Sequence, residues 1–471
     1  MRFVVKHESR TPLSDQVEEG LRSRLHGPEL RAGTRLPSIR QLALDLGVSR
    51  NTVIEAYDRL VAQGLVRSRQ GSGYFVGAQS AGVRNTTGVS NPQDAEDVTD
   101  ALWHLFSEQD DSVKLGCGWL PESWREADDM AYAIRQVTRS DRQSLFDYST
   151  PLGGTGLRAG LQRRLHAVGI ESAMSQILLT TGASHALDLL IRLLLRPGDL
   201  VFVESPGYYN LFGLLKLQGV HMVGVPRTPN GPDTEELERL LATHRPKLFF
   251  VNGIFQNPTG TVISASVAHR VLQLADRFDF RVVEDDIYAD FQTEATVRLA
   301  ALDQMRRVIY IGSFSKSLSC SLRVGFIVAS VDLIRRLVDV KMLTSIASSR
   351  FAEEVLTVMF ENGSYHKVVQ RLRRRLDRQV ADSLRLVESS GWQVYTHPIG
   401  GMFLWVRRPE VEDASLLVES AARRGVRLSV GAVFTPDMTP SPWLRINVAY
   451  VDEPRAQAFL TNPLASEQSA A

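Results

Sequence analysis

The chain has 471 residues, two cysteines and a formal net charge of +1. That length holds more than one domain, each able to bury a core. The near-neutral balance excludes a uniformly basic nucleic-acid coat, so any DNA contact has to come from a local patch.

Cys117 and Cys320 fit neither a disulfide framework nor a metal-ligand spacing, which points to free structural thiols in a reducing cytoplasm. The first residues lack the apolar core of a signal peptide. No apolar run is long enough to span a bilayer.

Residues 12–25 read as a helix, with Leu13, Val17, Leu21 and Leu25 recurring every fourth position. After a turn over residues 31–37, Ser38-Ile39-Arg40-Gln41 is a capping-box pattern that opens a helix through Leu46. Gly47-Val48 makes a tight turn. Ser49-Arg50-Asn51-Thr52 then starts a second helix to Gln63, with Val53, Ala56, Tyr57 and Leu60 on its apolar face. Short helix, glycine turn and longer helix is the helix-turn-helix plan. The second helix would present its first residues to a major groove. Arg50, Asn51 and Thr52 can bond base edges or phosphates, and Ser49 stands with them on the candidate DNA face. Leu65-Val66-Arg67-Ser68-Arg69-Gln70 and Tyr74-Phe75-Val76 flank Gly71-Ser72-Gly73, a hairpin with a basic strand that reads as a wing.

This segment resembles the winged-helix domain of the GntR family of bacterial transcription regulators. The resemblance rests on Gly33-Thr34-Arg35-Leu36-Pro37-Ser38, Arg40, residues 47–53, Ala56-Tyr57, Leu60, Gly64-Leu65-Val66 and Gln70-Gly71-Ser72-Gly73. It implies DNA contacts by Arg40, Arg50, Thr52 and the wing residue Gly71, and a double-stranded operator as partner. The first domain is expected over residues 1–77.

Residues 78–112 are rich in Ser, Thr, Asn, Asp, Gln and Gly and read as a flexible linker. Such a chain of ~30 residues spans roughly 30 Å. Within it, Asp100 to Phe106 is apolar enough for a short docked helix, with His104 as one of its surface residues.

From Val113 onward, short apolar strands alternate with longer helical stretches, the pattern of an α/β domain with a mainly parallel sheet. Several strand ends carry residues suited to chemistry. Ile177-Leu178-Leu179-Thr180 leads into Gly182-Ala183-Ser184-His185 and a long helix from Ala186 to Leu195; helix N-terminal amides bind phosphate well. Val201-Phe202-Val203-Glu204 ends near Tyr208. Leu248-Phe249-Phe250-Val251 leads to Asn257-Pro258. Arg281-Val282-Val283-Glu284 leads to Asp285 and Tyr288. Val308-Ile309-Tyr310-Ile311 reads as a buried parallel strand, and Lys316 lies just past it, where open α/β sheets place their ligand crevice.

Alone, Lys316 reads equally as a solvated lysine in a Ser-rich loop. With its neighbours it suits pyridoxal phosphate (PLP). The lysine amine forms the Schiff base. Asp285 keeps the pyridine nitrogen protonated. Asn257 and Tyr288 bond the phenolic oxygen, and Tyr208 stacks on the ring. Gly182, Ala183, Ser184, Ser313, Ser315 and Arg323 hold the phosphate.

The ordered set resembles the fold-type I, class I/II aminotransferases over about residues 113–450, with a C-terminal α+β subdomain. The domain is expected over residues 113–471. Further matches are Phe146-Asp147-Tyr148, Gly400-Gly401-Met402-Phe403 and Trp443-Leu444-Arg445-Ile446. The resemblance implies that Arg445 binds an α-carboxylate. It also implies a homodimer in which Tyr148 reaches the partner subunit's phosphate. Two departures stand out: Ala183-Ser184-His185 where the family often has Ser-Gln-Gln, and Cys320-Ser321 where it usually has Pro-Gly.

A GntR-like winged helix joined to such a domain resembles the MocR subfamily of regulators. That resemblance implies a cytoplasmic, PLP-dependent transcription regulator that senses PLP or a small amino compound. A metabolic aminotransferase with an accessory DNA-binding domain is the competing reading. A third, in which the large domain merely dimerises, leaves the cofactor set unexplained.

Overall fold

The computed structural model describes residues 3, 5, 11–25, 33–62, 65–69, 73–76, 111–140 and 145–464. The chain divides into two compact units, Met1–Ala95 and Glu96–Ala471.

The first unit holds helices α1 (Leu13–Leu25), α2 (Ile39–Leu46) and α3 (Arg50–Ala62), followed by the antiparallel hairpin β1 (Val66–Arg69) and β2 (Gly73–Val76). The expected helix over 12–25 begins one residue later, because the Pro12 carbonyl accepts the first amides, those of Asp15 and Gln16. Ser38 caps α2 by accepting the Gln41 N–H at 3.2 Å. Gly47, at φ +65°, ends it in the left-handed region that favours glycine. That cap makes the tight turn into α3. The fourfold spacing of Val17, Leu21 and Leu25 puts one face of α1 against Val53, Ala56, Tyr57 and Leu60 of α3. The Tyr57 hydroxyl donates to the Pro37 carbonyl at 2.7 Å, and its ring stacks on Tyr74 at 4.3 Å, which ties the hairpin to the helices. The wing tip with Gly71, and the expected linker helix with His104, lie outside the described residues.

The second unit is built on an eight-stranded sheet in the order β3-β10-β9-β8-β7-β4-β5-β6. These strands are β3 (Ile177–Thr180), β4 (Leu200–Ser205), β5 (His221–Thr228), β6 (Gly231–Pro232), β7 (Leu248–Val251), β8 (Arg281–Asp285), β9 (Val308–Ser313) and β10 (Gly325–Val328). The run β9-β8-β7-β4-β5 is parallel, and β10 is antiparallel to both its neighbours. The near-continuous apolar runs of β3, β7 and β9 follow from helices on both faces. Alternate residues of β9 feed two separate cores: Val308 and Tyr310 one, Ile309 and Ile311 the other.

A smaller antiparallel sheet, β11 (Gln393–Val394), β12 (Phe403–Arg407), β13 (Ser429–Val430) and β14 (Trp443–Asn447), has the order β11-β12-β14-β13. Its core takes in Phe403, Leu444 and Ile446 together with Leu115 and Leu120, so the segment after Val113 returns to this sheet. Among the described residues, no helix is long and apolar enough to cross a membrane.

Candidate cofactor crevice and DNA face

Strand β9 ends at Ser313, and the chain turns sharply into the loop that carries Lys316. The Lys316 amine is buried and donates to the Gly118 carbonyl at 2.7 Å. Burial holds it below the usual lysine value. Asp285 closes β8. Burial pushes its carboxyl up to about 7, against a bond from the Ile287 N–H. Its neighbour Asn252 donates to the Asp285 carbonyl at 2.6 Å and accepts the Asn257 N–H at 2.8 Å. The ends of β7 and β8 are thereby locked together.

Asn257 in turn accepts from Arg445 at 2.7 Å. Arg445, on β14, is 1% exposed. It donates to the Gly116 carbonyl through Nε at 3.1 Å and through a terminal nitrogen at 2.6 Å. The rings of Phe403 and Phe434 lie 4.7 and 4.8 Å from its guanidinium carbon. Tyr288 is buried with its ring edge-on to Phe403. The Tyr208 hydroxyl accepts from Asn210 at 3.0 Å, and burial raises it above the usual phenol range.

A second cluster sits beside the lysine. The Ser313 and Ser315 hydroxyls are 3.1 Å apart, and Arg323 donates to Ser315 at 3.4 Å. Helix α5 (Gly182–Leu194) begins here rather than at Ala186, so Gly182, Ala183 and Ser184 form its first turn. Gly182 has φ +77°, and a Cβ there would come within 2.6 Å of an Arg323 nitrogen. That space is kept open by glycine alone. His185 is not turned to the cradle: its Nδ1 accepts the Thr181 N–H at 3.0 Å. The chemistry of the set fits PLP. A cationic, hydroxyl-lined cradle at a helix N-terminus suits a phosphate. A buried carboxyl suits a pyridine nitrogen, and a buried amine of depressed basicity suits condensation with an aldehyde.

Four contributors escaped the sequence. Gly118 receives the lysine through a backbone carbonyl. Arg125 donates to the Leu318 carbonyl at 3.0 Å and the Lys316 carbonyl at 3.4 Å, bracing the lysine loop. Asn447 donates to the Cys117 and Trp119 carbonyls at 3.1 and 2.8 Å, fixing the segment that holds Gly118. Asn252 has been described. None is marked by a local motif, since each makes at least one of its contacts with a residue far away in the chain. The Cys320-Ser321 departure has a local answer: the Cys320 thiol donates to the Ser315 carbonyl at 3.0 Å and closes the turn. Tyr148 is 77% exposed and makes none of these contacts.

On the first unit, Arg40, Ser49, Arg50 and Asn51 are exposed. Ser49 Oγ accepts the Thr52 N–H at 3.1 Å and lies 2.8 Å from the Thr52 hydroxyl. These two hydroxyls shape the start of α3.

Residues 110–461 match the model of the aminotransferase class I and II family, and residues 13–76 match that of the gntR family of bacterial regulatory proteins. The HTH-type transcriptional regulator YdfD of Bacillus subtilis is 28% identical over 466 residues, covering 94% of either chain. The probable rhizopine catabolism regulatory protein MocR of Rhizobium meliloti is 30% identical over 440 residues, which is 91% of this chain and 88% of that one. Among solved structures, a kynurenine aminotransferase of Pyrococcus horikoshii, in complex with PMP, superposes with a TM-score of 0.72 at 28% identity, over 79% of this chain and 93% of its own. Class I and II aminotransferases are a PLP-dependent family. With that domain behind a GntR-type helix-turn-helix, the chain belongs to the aminotransferase class I and II family in the form that the MocR-type regulators have.

Proposed function

We propose that the chain is a cytoplasmic transcription regulator that holds PLP at Lys316 and adjusts its grip on operator DNA to PLP or to a small amino compound. Residues 1–77 are the DNA-binding domain, 113–471 the sensing domain, and 78–112 the linker. The carrying observation is the convergence of the Lys316 amine, the Asp285 carboxyl and the Arg445 guanidinium on one crevice, in a chain whose helix α3 offers Arg50 and Asn51 to solvent.

Bound PLP supplies an aldehyde that condenses with an amine. The chain's own residues do the rest. Asp285 holds the proton of the pyridine nitrogen. Asn257 and Tyr288 orient the phenolic oxygen, Tyr208 covers the ring, and Ser313, Ser315, Arg323 and the first amides of α5 hold the phosphate. Arg445 receives a carboxylate when the amino compound has one. A homodimer completes the site through Tyr148, whose exposure together with that of Phe146 (85%) suits coverage by a second copy.

The test is spectroscopic. Purified protein should absorb in the visible near-ultraviolet region of a lysine–pyridoxal adduct, and borohydride should fix the pyridoxyl group on Lys316. Mapping of the reduced group to another lysine would overturn the assignment. A second reading, an aminotransferase with an accessory DNA-binding domain, draws on the joint presence of Lys316 and Arg445. It is separated by turnover measured beside DNA binding.

A further inference from the structure

Behind the lysine loop lies a cavity of about 650 Å³ that shares only Ser313 with the proposed cofactor site. Asp285 and Asp286 are consecutive, so their side chains leave the end of β8 on opposite sides. Asp285 enters the crevice. Asp286 lines the cavity, and Tyr310, on the same side of neighbouring β9, donates to it at 2.8 Å.

The cavity walls come from helices α4 (Thr155–His166) and α6 (Ser364–Ser389). They are rich in arginine, and the carboxylates do not neutralise all of it. Arg298 pairs with Asp286 at 2.6 Å, and Arg164 pairs with Asp290. Arg373 donates only through Nε, to the Asp290 carbonyl at 2.6 Å. Neither it nor Arg163 at the mouth forms an ion pair with a described carboxylate. Burial and the nearby Arg164 charge hold the Arg373 guanidinium below its usual value, against the opposing charge of Asp377 one turn along the same helix, which forms no ion pair with it. Glu294 lines the cavity too and pairs with no described cation. On the floor, Asp286 is 2% exposed, and its Oδ1 has no hydrogen-bond partner among the described residues. A buried acceptor left unpaired is costly and calls for a donor. The Phe314 and Tyr365 rings add an apolar wall.

We propose that this cavity is a second binding site, for a small organic anion, a carboxylate or a phosphate ester, with a planar body and a hydroxyl or N–H group. The anion meets Arg373 and Arg163, the planar body lies along Phe314 and Tyr365, and the donor satisfies Asp286. The volume is that of a small-molecule site. The ligand also has a route to Lys316. Asp290 accepts from Ser317, the residue after the lysine, and from Tyr365, while it pairs with Arg164. An anion held by Arg373 competes with the bond that Arg373 gives the Asp290 carbonyl, which loosens Asp290 and thereby the lysine loop. This coupling, unlike the site itself, rests on the cofactor reading.

The experiment uses full-length holo-protein reduced with borohydride, so that the lysine crevice is closed. 4-Hydroxyphenyl phosphate and 4-hydroxybenzoate are titrated calorimetrically, with wild type, Arg373→Gln and the cavity-filling Ala167→Trp. At least one probe should bind wild type with a dissociation constant below about 1 mM, within the ordinary range of small ligands. Both variants should weaken it about ten-fold or more while keeping the wild-type melting temperature. The stronger probe identifies the anion class. In unreduced holo-protein, the same probe should shift the visible band. Equal binding by wild type and both variants, or no binding to wild type below about 10 mM, overturns the site. Binding with an unmoved band overturns only the coupling. A variant that fails to fold leaves the other to decide. Absence of any visible band before titration counts against the cofactor reading instead, and apo-protein then serves for the binding test.

Discussion

Lys316 and Arg445 face each other across Gly118: a Cβ built on that glycine would lie 3.8 Å from the lysine amine and 3.8 Å from both terminal nitrogens of the arginine. One point therefore neighbours an amine that condenses with aldehydes and a guanidinium that binds carboxylates. An α-amino acid carries its amine and carboxylate on one carbon, and this gap suits it. The backbone at Gly118 is not left-handed, and the 3.8 Å contacts leave room for a Cβ in the apo-protein. Gly118→Ala should therefore fold and retain PLP, yet crowd the α-carbon of a bound amino acid. Overpacking of about 1–3 kcal/mol corresponds to a loss of roughly 5- to 150-fold in apparent amino acid affinity. Titration of the visible band measures it. Unchanged affinity would place the amino compound elsewhere.

Acid–base behaviour follows from burial. The Lys316 amine is held below its usual value by burial first, so it becomes neutral at a lower pH than a free lysine. Only the neutral amine attacks an aldehyde. The rate of PLP capture should rise from pH 6 upward and level off below the usual 10.5. Asp285 works the other way. Its carboxyl is raised from 3.8 to about 7, chiefly by burial, so the folded protein binds that proton more tightly than the unfolded chain. Its contribution to stability is full below 3.8 and is lost as pH rises through about 7. Between those values the melting temperature of apo-protein should fall relative to Asp285→Asn. Parallel curves for the two proteins would contradict the buried carboxyl.

Much of this was legible because strand ends repeat one grammar. Residues 177–180, 248–251 and 308–311 are apolar runs followed by Gly, Asn or Ser, and each became a strand that leads at its C-terminal end toward candidate site residues. The helix-turn-helix was equally open, since Ser38 and Gly47 mark both ends of α2. What stayed hidden acts through space. Arg125 reaches a carbonyl 193 positions away, and Asn447 reaches one 330 away, so no window of sequence contains either pair. The start of α5 at Gly182 was hidden for another reason. Gly182, a poor helix former held in a left-handed backbone, obscures the start, although Thr181 before it is a cap-type residue that makes no side-chain cap bond.

The DNA face gives a salt-dependent expectation. Arg40 and Arg50 are exposed and form no ion pair with a described carboxylate, so each is available to a phosphate or a base. Arg40→Ala or Arg50→Ala should weaken operator binding without changing the PLP spectrum. Loss of one phosphate contact lowers the salt slope by about one. Loss of a guanine contact costs roughly 1–3 kcal/mol and is confined to one base position. Fluorescence anisotropy across a salt series distinguishes the two. Wild-type affinity in both variants would strip the helix of its assigned role.

Coupling between the two units decides between regulator and enzyme. A ligand changes DNA affinity only by binding the DNA-competent and DNA-incompetent states unequally, typically by about 1–3 kcal/mol. Arg445 is the residue to test, because it is the permanent cation beside the Lys316 amine, where the proposed amino acid's carboxylate would lie. Its removal has a cost, since Gly116 and Asn257 would lose their donor. Arg445→Lys keeps a charge and one donor but loses the bidentate fork, and so separates folding from recognition. An amino acid effector should alter operator affinity or footprint in wild type about 5- to 150-fold. In Arg445→Lys, and more so in Arg445→Ala, this response should vanish, while PLP absorbance and basal DNA binding persist. An amine without a carboxylate should act equally on all three proteins. Apo-protein has to stand in the same gel-shift series, because PLP itself is the alternative effector. Transaminase turnover is measured on the same samples. Fast turnover with an operator affinity indifferent to every amine would make the chain an aminotransferase that carries a DNA-binding domain.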